Sequence, residues 1–348
     1  MECDDDHDGV EYLTKFVPLD SDEHVLSDVH INCSSAGGGS NSENVISRFV
    51  FTVPNGIRSC NHLDKPNQSA SYFDGESTAD ADDEEDSQVE RRDLRREVIL
   101  IEHTMATVLE DVGTQVWRGA LYLCDFILGN PILFAGQTVL ELGAGVGLVS
   151  ALLNYIGSSR TFCTDHSTKA LTFCQGNIIR NQFVCLTTKS SAELGPGDAV
   201  SVRCLDWFDK SFPKINAAVI SPFSWAADDI DVLRRGFVVV AADVIYSDDL
   251  TDAFLTTLLR LSEQFRLTVV AYVALEKRLN FTLEDLAVCS PPYRYFQRKL
   301  CELSQTIEAS TRALLMSERL PDNFPQCFQY ERVPELEVWK ITATINLN

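Results

Sequence analysis

The feature that most constrains the fold of this chain is a glycine-rich turn between a β-prone segment and a helix-prone one. Residues 138–148 read Thr-Val-Leu-Glu-Leu-Gly-Ala-Gly-Val-Gly-Leu, so an apolar run ends near an acidic residue and passes into Gly143, Gly145 and Gly147. Glycine has no Cβ, which lets backbone atoms approach a neighbouring segment or a ligand closely. The pattern predicts the first strand-to-helix turn of an open α/β sheet, the usual place of a nucleotide-containing cofactor.

The spacing of the three glycines narrows the kind of cofactor. The dinucleotide-binding fingerprint is Gly-x-Gly-x-x-Gly, whereas Gly143, Gly145 and Gly147 are spaced Gly-x-Gly-x-Gly. S-adenosylmethionine (SAM) carries no pyrophosphate, and its ribose and methionine parts need close approach of bare backbone. The loop therefore favours SAM, although a turn that serves only close packing fits the same residues.

Strand-like and helix-like segments alternate downstream of residue 98, which predicts an α/β fold. Alternation of this kind implies right-handed βαβ units and a Rossmann-like parallel sheet. Two β-prone runs close to the C-terminus, at residues 313–317 and 336–344, bring the sheet to seven strands and predict an antiparallel pair there. The other predicted strands are 137–142, 160–164, 199–205, 237–242 and 267–275, and the predicted helices are 146–156, 168–181 and 249–264.

The N-terminal region has a different composition. Residues 1–90 hold 21 Asp or Glu against 4 Lys or Arg, and the densest acidic run is 82–86. A like-charge block with little apolar periodicity is typical of solvated, disordered chain, and the alternative is a docking arm for a basic partner. We therefore expect an acidic, mostly disordered region over residues 1–95, with a short strand near 45–53, and a folded α/β domain over residues 96–348.

Composition also argues against several classes of protein. The 11 cysteines form no Cys-x-x-Cys pair, and the 6 histidines show no ligand spacing, so we expect free thiols in a reducing compartment and no metal. No apolar run approaches the ~20 residues of a membrane helix. Neither region has the excess positive charge of a direct nucleic-acid binder. We expect an intracellular monomer, with the Arg-rich cluster at 91–96 favouring the nucleus over the cytoplasm unless it is merely solvated.

The carboxyl ends of the predicted strands supply candidate cofactor ligands, because ligands of open α/β sheets bind at that edge. The first strand leads through Glu141 into Gly143, Ala144 and Gly145. The second ends at Asp165, about 20 residues beyond the loop, where a carboxylate can accept both ribose hydroxyls. Asp165 could instead cap the following helix.

The third and fourth strands end in residues suited to a base and to a reacting group. Asp206 offers a carboxylate to an adenine amino group, and Trp207 offers an aromatic face. Ala242, Asp243 and Tyr246 follow the fourth strand and bring an acid and a phenol to the expected reacting centre. Trp207 as an ordinary core residue, and Tyr246 as a cap on the sheet, are the alternatives for single positions, but four matching strand ends favour one site.

Several motifs together resemble a known family. They are Val-Trp-Arg-Gly-Ala at 116–120, Glu-Leu-Gly-Ala-Gly at 141–145, Leu-Asp-Trp at 205–207 and Asp-Val-Ile-Tyr at 243–246. Over residues 99–345 the chain resembles the seven-β-strand protein-lysine methyltransferases, methyltransferase family 16. The resemblance implies methyl transfer from SAM to a lysine ε-amine. It also implies a cofactor site lined by Trp117, Gly143, Gly145, Asp165, Trp207 and Ala242.

The chemistry of the fourth strand end fits a cationic nucleophile. A lysine is almost wholly protonated at pH 7, yet only the neutral amine can attack a methyl group. Asp243 can attract and orient the ammonium and Tyr246 can position it, while alignment supplies most of the rate. Amide and adenine methyltransferases typically carry Asn-Pro-Pro-Tyr in this place, so an acid here favours lysine.

Two other functions fit parts of the pattern. A nicotinamide-dependent dehydrogenase shares the glycine loop and Asp165 but leaves Trp207 and the Asp243–Tyr246 pair unexplained. A catalytically weak adaptor with a cofactor fold is the second alternative, and the intact strand ends speak against it. Relatives in the resembled family modify chaperones, translation factors and nucleic-acid-binding proteins, so the acidic chain predicts a basic protein substrate.

Overall fold

The computed structural model describes residues 25–27, 29, 44–54, 57, 95–181, 199–211, 221–282, 287–305 and 313–345. The glycine/serine stretch at 36–42 and the acidic run at 82–86 lie outside them. The helices are α1 (Arg118–Gly129), α2 (Leu148–Tyr155), α3 (Thr168–Arg180), α4 (Ala227–Leu233), α5 (Asp248–Phe265) and α6 (Pro291–Gln305). The strands are β1 (Val25–Leu26), β2 (Asn44–Thr52), β3 (Arg96–Thr104), β4 (Ala106–Thr107), β5 (Thr138–Leu142), β6 (Arg160–Asp165), β7 (Val200–Cys204), β8 (Val238–Ala242), β9 (Val269–Glu276), β10 (Asn280–Thr282), β11 (Ala287–Cys289), β12 (Ala313–Arg319) and β13 (Leu336–Ile345).

The central sheet has seven strands in the order β12-β13-β9-β8-β5-β6-β7. The five strands from β9 to β7 are parallel, whereas β13 runs antiparallel to both β9 and β12. The predicted α/β sheet with its antiparallel C-terminal pair is therefore confirmed. The predicted strand 267–275 begins two residues later in the structure, because Arg266 ends α5 in the left-handed conformation at φ 55°.

Helices cover both faces of this sheet, and the core is divided accordingly. One apolar cluster lies under α1, α2 and α3, and the other lies under α4, α5 and α6. The sequence reasoning missed α1 because this helix is buried on almost every side and has no polar stripe. It missed α6 because Pro291 and Pro292 suggest a break, whereas proline is well suited to the first turn of a helix.

The expected short strand near 45–53 forms as β2, which pairs with β3 along its whole length. The two strands lie on opposite sides of the boundary expected at residue 95. Phe49 and Phe51 of β2 are buried in the main core, and the Phe51 ring stacks on Phe328 with centroids 4.8 Å apart. The folded α/β unit thus includes chain from the acidic N-terminal region.

A second N-terminal segment reaches the connection that precedes α1. Strand β1 pairs with β4, and the Ser27 amide donates to the side-chain oxygen of Gln115 at 2.8 Å. The Ser27 hydroxyl donates to the carbonyl of Val116, and Val29 is buried in the main core. The segment 25–29 therefore supports the residues next to Trp117.

Three general properties hold for the described part of the chain. Its helices include none that is long and apolar enough to cross a membrane. Its seven cysteines are all free thiols. Within the same residues, His, Cys, Asp and Glu side chains form no group of three or more that could hold a metal ion.

Candidate active site

The glycine loop between β5 and α2 has the geometry that its sequence predicts. Gly143, Gly145 and Gly147 have φ values of 73°, 53° and 85°, in the left-handed region that glycine tolerates best. A Cβ on Gly143 would come within 2.8 Å of the Val244 side chain, and a Cβ on Gly145 within 2.7 Å of the Gly113 carbonyl oxygen. The loop is therefore closed on both sides by backbone and side chains that leave no room for a larger residue.

Asp165 lies at the end of β6, directly beside this loop. Its two carboxylate oxygens accept hydrogen bonds from the amides of Gly145 at 3.1 Å and Ser167 at 2.9 Å. The Asp165 carboxylate also accepts from the His166 ring and raises the pKa of that histidine. The cap of α3 is Ser167 and not Asp165, so the alternative of a capping aspartate is not realised. The carboxylate is instead held against the cofactor loop.

The end of β7 places an indole beside Gly143. The Trp207 ring lies 3.4 Å from where a Gly143 Cβ would stand, and it packs edge-on against Phe254 with centroids 5.4 Å apart. Asp206 is exposed, and one of its oxygens accepts the Phe208 amide at 2.9 Å. Trp207 and Asp206 thus border the loop from the side opposite Asp165's helix.

Glu141 is placed differently from the other candidates. Its carboxyl group is buried and accepts a hydrogen bond from the Ser150 hydroxyl of α2. Burial raises the pKa of Glu141 to about 8. The carboxyl group therefore serves the contact between β5 and α2, and the structure gives it no position at the cleft. Ala144 is buried, and its amide donates to the Thr164 carbonyl at 2.8 Å, which ties the loop to β6.

Asp243 follows β8 and is held by two amides from distant parts of the chain. Gly119 at the start of α1 donates to Oδ2 at 2.7 Å, and Glu276 at the end of β9 donates to Oδ1 at 2.9 Å. The side chain is 7% exposed. Its backbone has φ 52°, a left-handed conformation that costs a non-glycine residue energy and is typical of functional sites.

Trp117 and Arg278 lie next to this aspartate. The guanidinium carbon of Arg278 is 4.9 Å from the centroid of the Trp117 ring, and Nη2 of Arg278 is 3.7 Å from Oδ2 of Asp243. The Trp117 ring nitrogen donates to the Val112 carbonyl at 3.0 Å. Trp117 therefore joins the Asp243 side of the site to the segment that covers Gly145.

Tyr246 and Ala242 complete the candidate set. Ala242 is half-buried at the end of β8, opposite Ala274 of β9. Tyr246 is 44% exposed, so its ring reaches the surface. Burial of part of the side chain and the negative charge of Asp165 raise the pKa of the Tyr246 phenol. The structure thus brings every predicted residue except Glu141 to one edge of the sheet.

Some site residues were missed by sequence reasoning. Gly113 belongs to a short 3-10 helix, Leu109–Thr114, and its carbonyl lies against Gly145. Gly119 leaves the space that the Asp243 carboxylate fills, since a Cβ there would be 2.5 Å from the Asp243 Cγ. Both glycines lie in motifs that carried the resemblance, at 109–113 and 116–120, but a single sequence does not reveal what a glycine must make room for.

Comparison with known proteins places the chain in a family. Residues 97–284 match the model of the lysine methyltransferase family, and the chain belongs to that family. Methyltransferase-like protein 22 of Homo sapiens is 42% identical over 251 residues, which cover 71% of this chain and 58% of the human protein. Protein-lysine N-methyltransferase EEF2KMT of Mus musculus is 28% identical over 249 residues, covering 71% of this chain and 63% of the mouse protein. The chain therefore spans less than two thirds of the length of these relatives.

Solved structures show a more distant likeness. An O-methyltransferase from Bacillus cereus in complex with SAH aligns with 66% of this chain and 82% of its own, at 13% identity and a TM-score of 0.34. The family resemblance inferred from the motifs is confirmed by the family match, and the fold by the strand order of the chain itself.

Proposed function

We propose that the protein is a SAM-dependent protein-lysine N-methyltransferase. The observation that carries the proposal is the meeting of a glycine loop, a ribose-type acid, an indole and the Asp243–Tyr246 pair at one edge of the sheet. Membership of the lysine methyltransferase family supports the same activity. A nicotinamide-dependent dehydrogenase would leave the strained Asp243 at φ 52° without a role.

The described residues fit SAM. The loop presents backbone that a Cβ at Gly145 would obstruct, within 2.7 Å of the Gly113 carbonyl. Asp165 would hold the ribose hydroxyls, and Asp206 with Trp207 would hold the adenine. SAM supplies a sulfonium methyl group, which an amine attacks in line while the bonding pair of the broken C–S bond stays on sulfur to give S-adenosylhomocysteine.

The residues of the chain align the amine and keep it in place. Asp243 already accepts amides at 2.7 and 2.9 Å, so its carboxylate is fixed before any substrate arrives and needs no reorganisation. Tyr246 reaches the surface beside it and can donate to or pack against the entering side chain. The lysine ammonium loses its proton to water before attack, because only the neutral amine has a free electron pair.

We further propose that the substrate is a basic protein, such as a nucleic-acid-binding protein or a chaperone, and that the enzyme acts as a monomer in the nucleus or cytoplasm. The support for the basic substrate is the net charge of −22, since opposite charge speeds protein association. The free thiols of the described cysteines support a reducing compartment.

Incubation of the purified protein with methyl-labelled SAM and a nuclear extract tests the activity. Mass spectrometry of the labelled band should find methyl-lysine in a basic protein. Methyl-glutamine, methyl-arginine or methylated nucleic acid as the main product would contradict the assignment to lysine. SAM binding without transfer to any extract component would favour the adaptor.

A further inference from the structure

The mouth of the proposed site contains a guanidinium from the chain itself. Arg278 follows β9, and its side chain is 30% exposed. It covers the Trp117 ring at 4.9 Å and lies 3.7 Å from Asp243 Oδ2 and 3.8 Å from Glu276 Oε2. An aromatic face with two carboxylates is a cation-binding arrangement. Arg278 therefore stands where the lysine ammonium of a substrate would meet Asp243.

The charges around this point come from several elements. Glu276 at the end of β9 lies 3.4 Å from the Nε of Arg118 at the start of α1, and Arg118 also lies 3.8 Å from Glu331. Glu331 is mostly exposed and is the least able of these groups to influence a half-buried site. Lys277 points elsewhere, because its ammonium lies 3.1 Å from Glu337. Asp243 and Glu276 are thus balanced by Arg118 and Arg278.

This balance addresses a chemical conflict in the transfer reaction. A carboxylate attracts the lysine ammonium, but it also stabilises the charged form and raises the pKa of the amine. Attack requires the neutral amine, so Asp243 and Glu276 alone would oppose the step they prepare. A nearby positive charge has the opposite effect and lowers the pKa of an amine.

We propose that Arg278 is a positioning residue that lowers the pKa of the bound substrate lysine by neutralising the field of Asp243 and Glu276. The inference rests on the proposed lysine methylation. With Arg278 in place the ammonium gives its proton to water, the nitrogen pair forms the bond to the methyl carbon, and the C–S bonding pair leaves with sulfur. The product amine then carries the positive charge and releases a second proton to water.

The test is the pH dependence of kcat at saturating SAM and acceptor, since kcat reports ionisations in the enzyme–substrate complex. The acceptor is the recombinant form of the protein labelled in the extract experiment. Arg278→Gln removes the charge and Arg278→Lys keeps it. Arg298→Gln is the matched control, because Arg298 covers the Tyr295 ring at the same 4.9 Å and lies 3.8 Å from Glu302, but on α6.

Arg278→Gln should move the acid limb of the kcat profile up by about one pH unit, the shift expected from losing one charge about 6 Å away in a half-buried site. At pH 7 this lowers kcat about tenfold, and raising the pH should restore the rate. Arg278→Lys and Arg298→Gln should keep the wild-type acid limb, and SAM affinity should be equal in all four proteins.

Two results would overturn the inference, and they differ from one another. An unchanged acid limb in Arg278→Gln, with kcat equal to wild type or lowered equally at every pH, would show that the guanidinium does not act on the amine. A wild-type enzyme that makes no methyl-lysine would refute the proposed function and the inference with it.

Discussion

Asp165 and Asp243 both follow parallel strands, and each accepts two backbone amides, but the two carboxylates are held in different ways. The donors to Asp165 are Gly145 and Ser167, from the adjoining loop and the next helix. The donors to Asp243 are Gly119 and Glu276, which are 124 and 33 residues away in sequence. The cofactor half of the site is therefore local, and the half that faces the substrate is assembled from distant segments.

This difference has consequences for the chemistry. The Asp165 carboxylate belongs to one βαβ unit, which is the ordinary way such folds bind a ribose. The Asp243 carboxylate holds the starts or ends of α1, β8 and β9 together, in a strained backbone at φ 52°. Changes that shift any of these elements should act on turnover, whereas cofactor affinity should depend on the loop and β6.

The largest expected effect comes from deleting residues 1–90. This removes β2, whose Phe49 and Phe51 are buried in the core. Each fully buried side chain of this size contributes about 1.5–3 kcal/mol, against a typical domain stability of about 5–15 kcal/mol. It also removes the Ser27 contacts to Gln115 and Val116. We expect no cooperative thermal unfolding transition.

A matched deletion that starts at residue 24 separates the strands from the charge. It keeps β1 and β2, and it should unfold cooperatively like the full chain. If the deletion of residues 1–90 folds and binds SAM normally, then β2 is dispensable and the distant support of the substrate half is refuted.

Gly119→Ala and Gly145→Ala compare the two halves by one methyl group each. The new Cβ would stand 2.5 Å from the Asp243 Cγ in the first variant and 2.7 Å from the Gly113 carbonyl oxygen in the second. Overpacking of this kind costs about 1–3 kcal/mol. We expect Gly119→Ala to lose turnover with SAM affinity kept, and Gly145→Ala to lose SAM affinity, both measured by calorimetry and initial rates.

Gly176→Ala on α3 is the control for these two variants. A Cβ there would meet nothing within 4 Å, so alanine should raise stability through helix propensity alone. Equal loss of SAM affinity in Gly119→Ala and Gly145→Ala would show that the two halves are not separable.

Glu141→Gln tests the one candidate that the structure places outside the cleft. The pKa of Glu141 is raised to about 8 in the folded protein, so its stabilising contribution is complete below the unfolded pKa and is lost as pH rises toward 8. The melting temperature of the wild type should therefore fall between pH 5 and 8 more steeply than that of Glu141→Gln. Equal slopes would contradict a buried, neutral Glu141, and weaker SAM binding would return the residue to the cofactor site.

Tyr246→Phe should have the smallest effect. The ring is 44% exposed, and the change removes one hydroxyl while keeping the aromatic surface. We expect kcat to fall by less than about tenfold, the value of one hydrogen bond, with no change in melting temperature. A loss as large as that of Asp243→Asn would make the phenol an essential group.

The same contrast explains what the sequence could predict. The β5 loop, Asp165 and the parallel strands follow from patterns within a few tens of residues, and the structure has them as predicted. Glu141 fits the same motif, but one turn of α2 supplies Ser150 and takes its carboxyl group into the core. Arg278 and Gly119 gain their roles from contacts across the fold, and no local pattern announces them.

The most direct test is the rate of methyl-lysine formation against SAM concentration for Asp165→Ala and Asp243→Asn. Asp165→Ala leaves ribose hydroxyls unpaired at about 1–3 kcal/mol, so its half-saturating SAM concentration should rise about 5- to 150-fold while the plateau approaches wild type. Asp243→Asn should keep the wild-type midpoint and have a strongly reduced plateau. A wild-type curve for Asp165→Ala, or a full plateau for Asp243→Asn, would contradict the division of the site into a cofactor half and a substrate half.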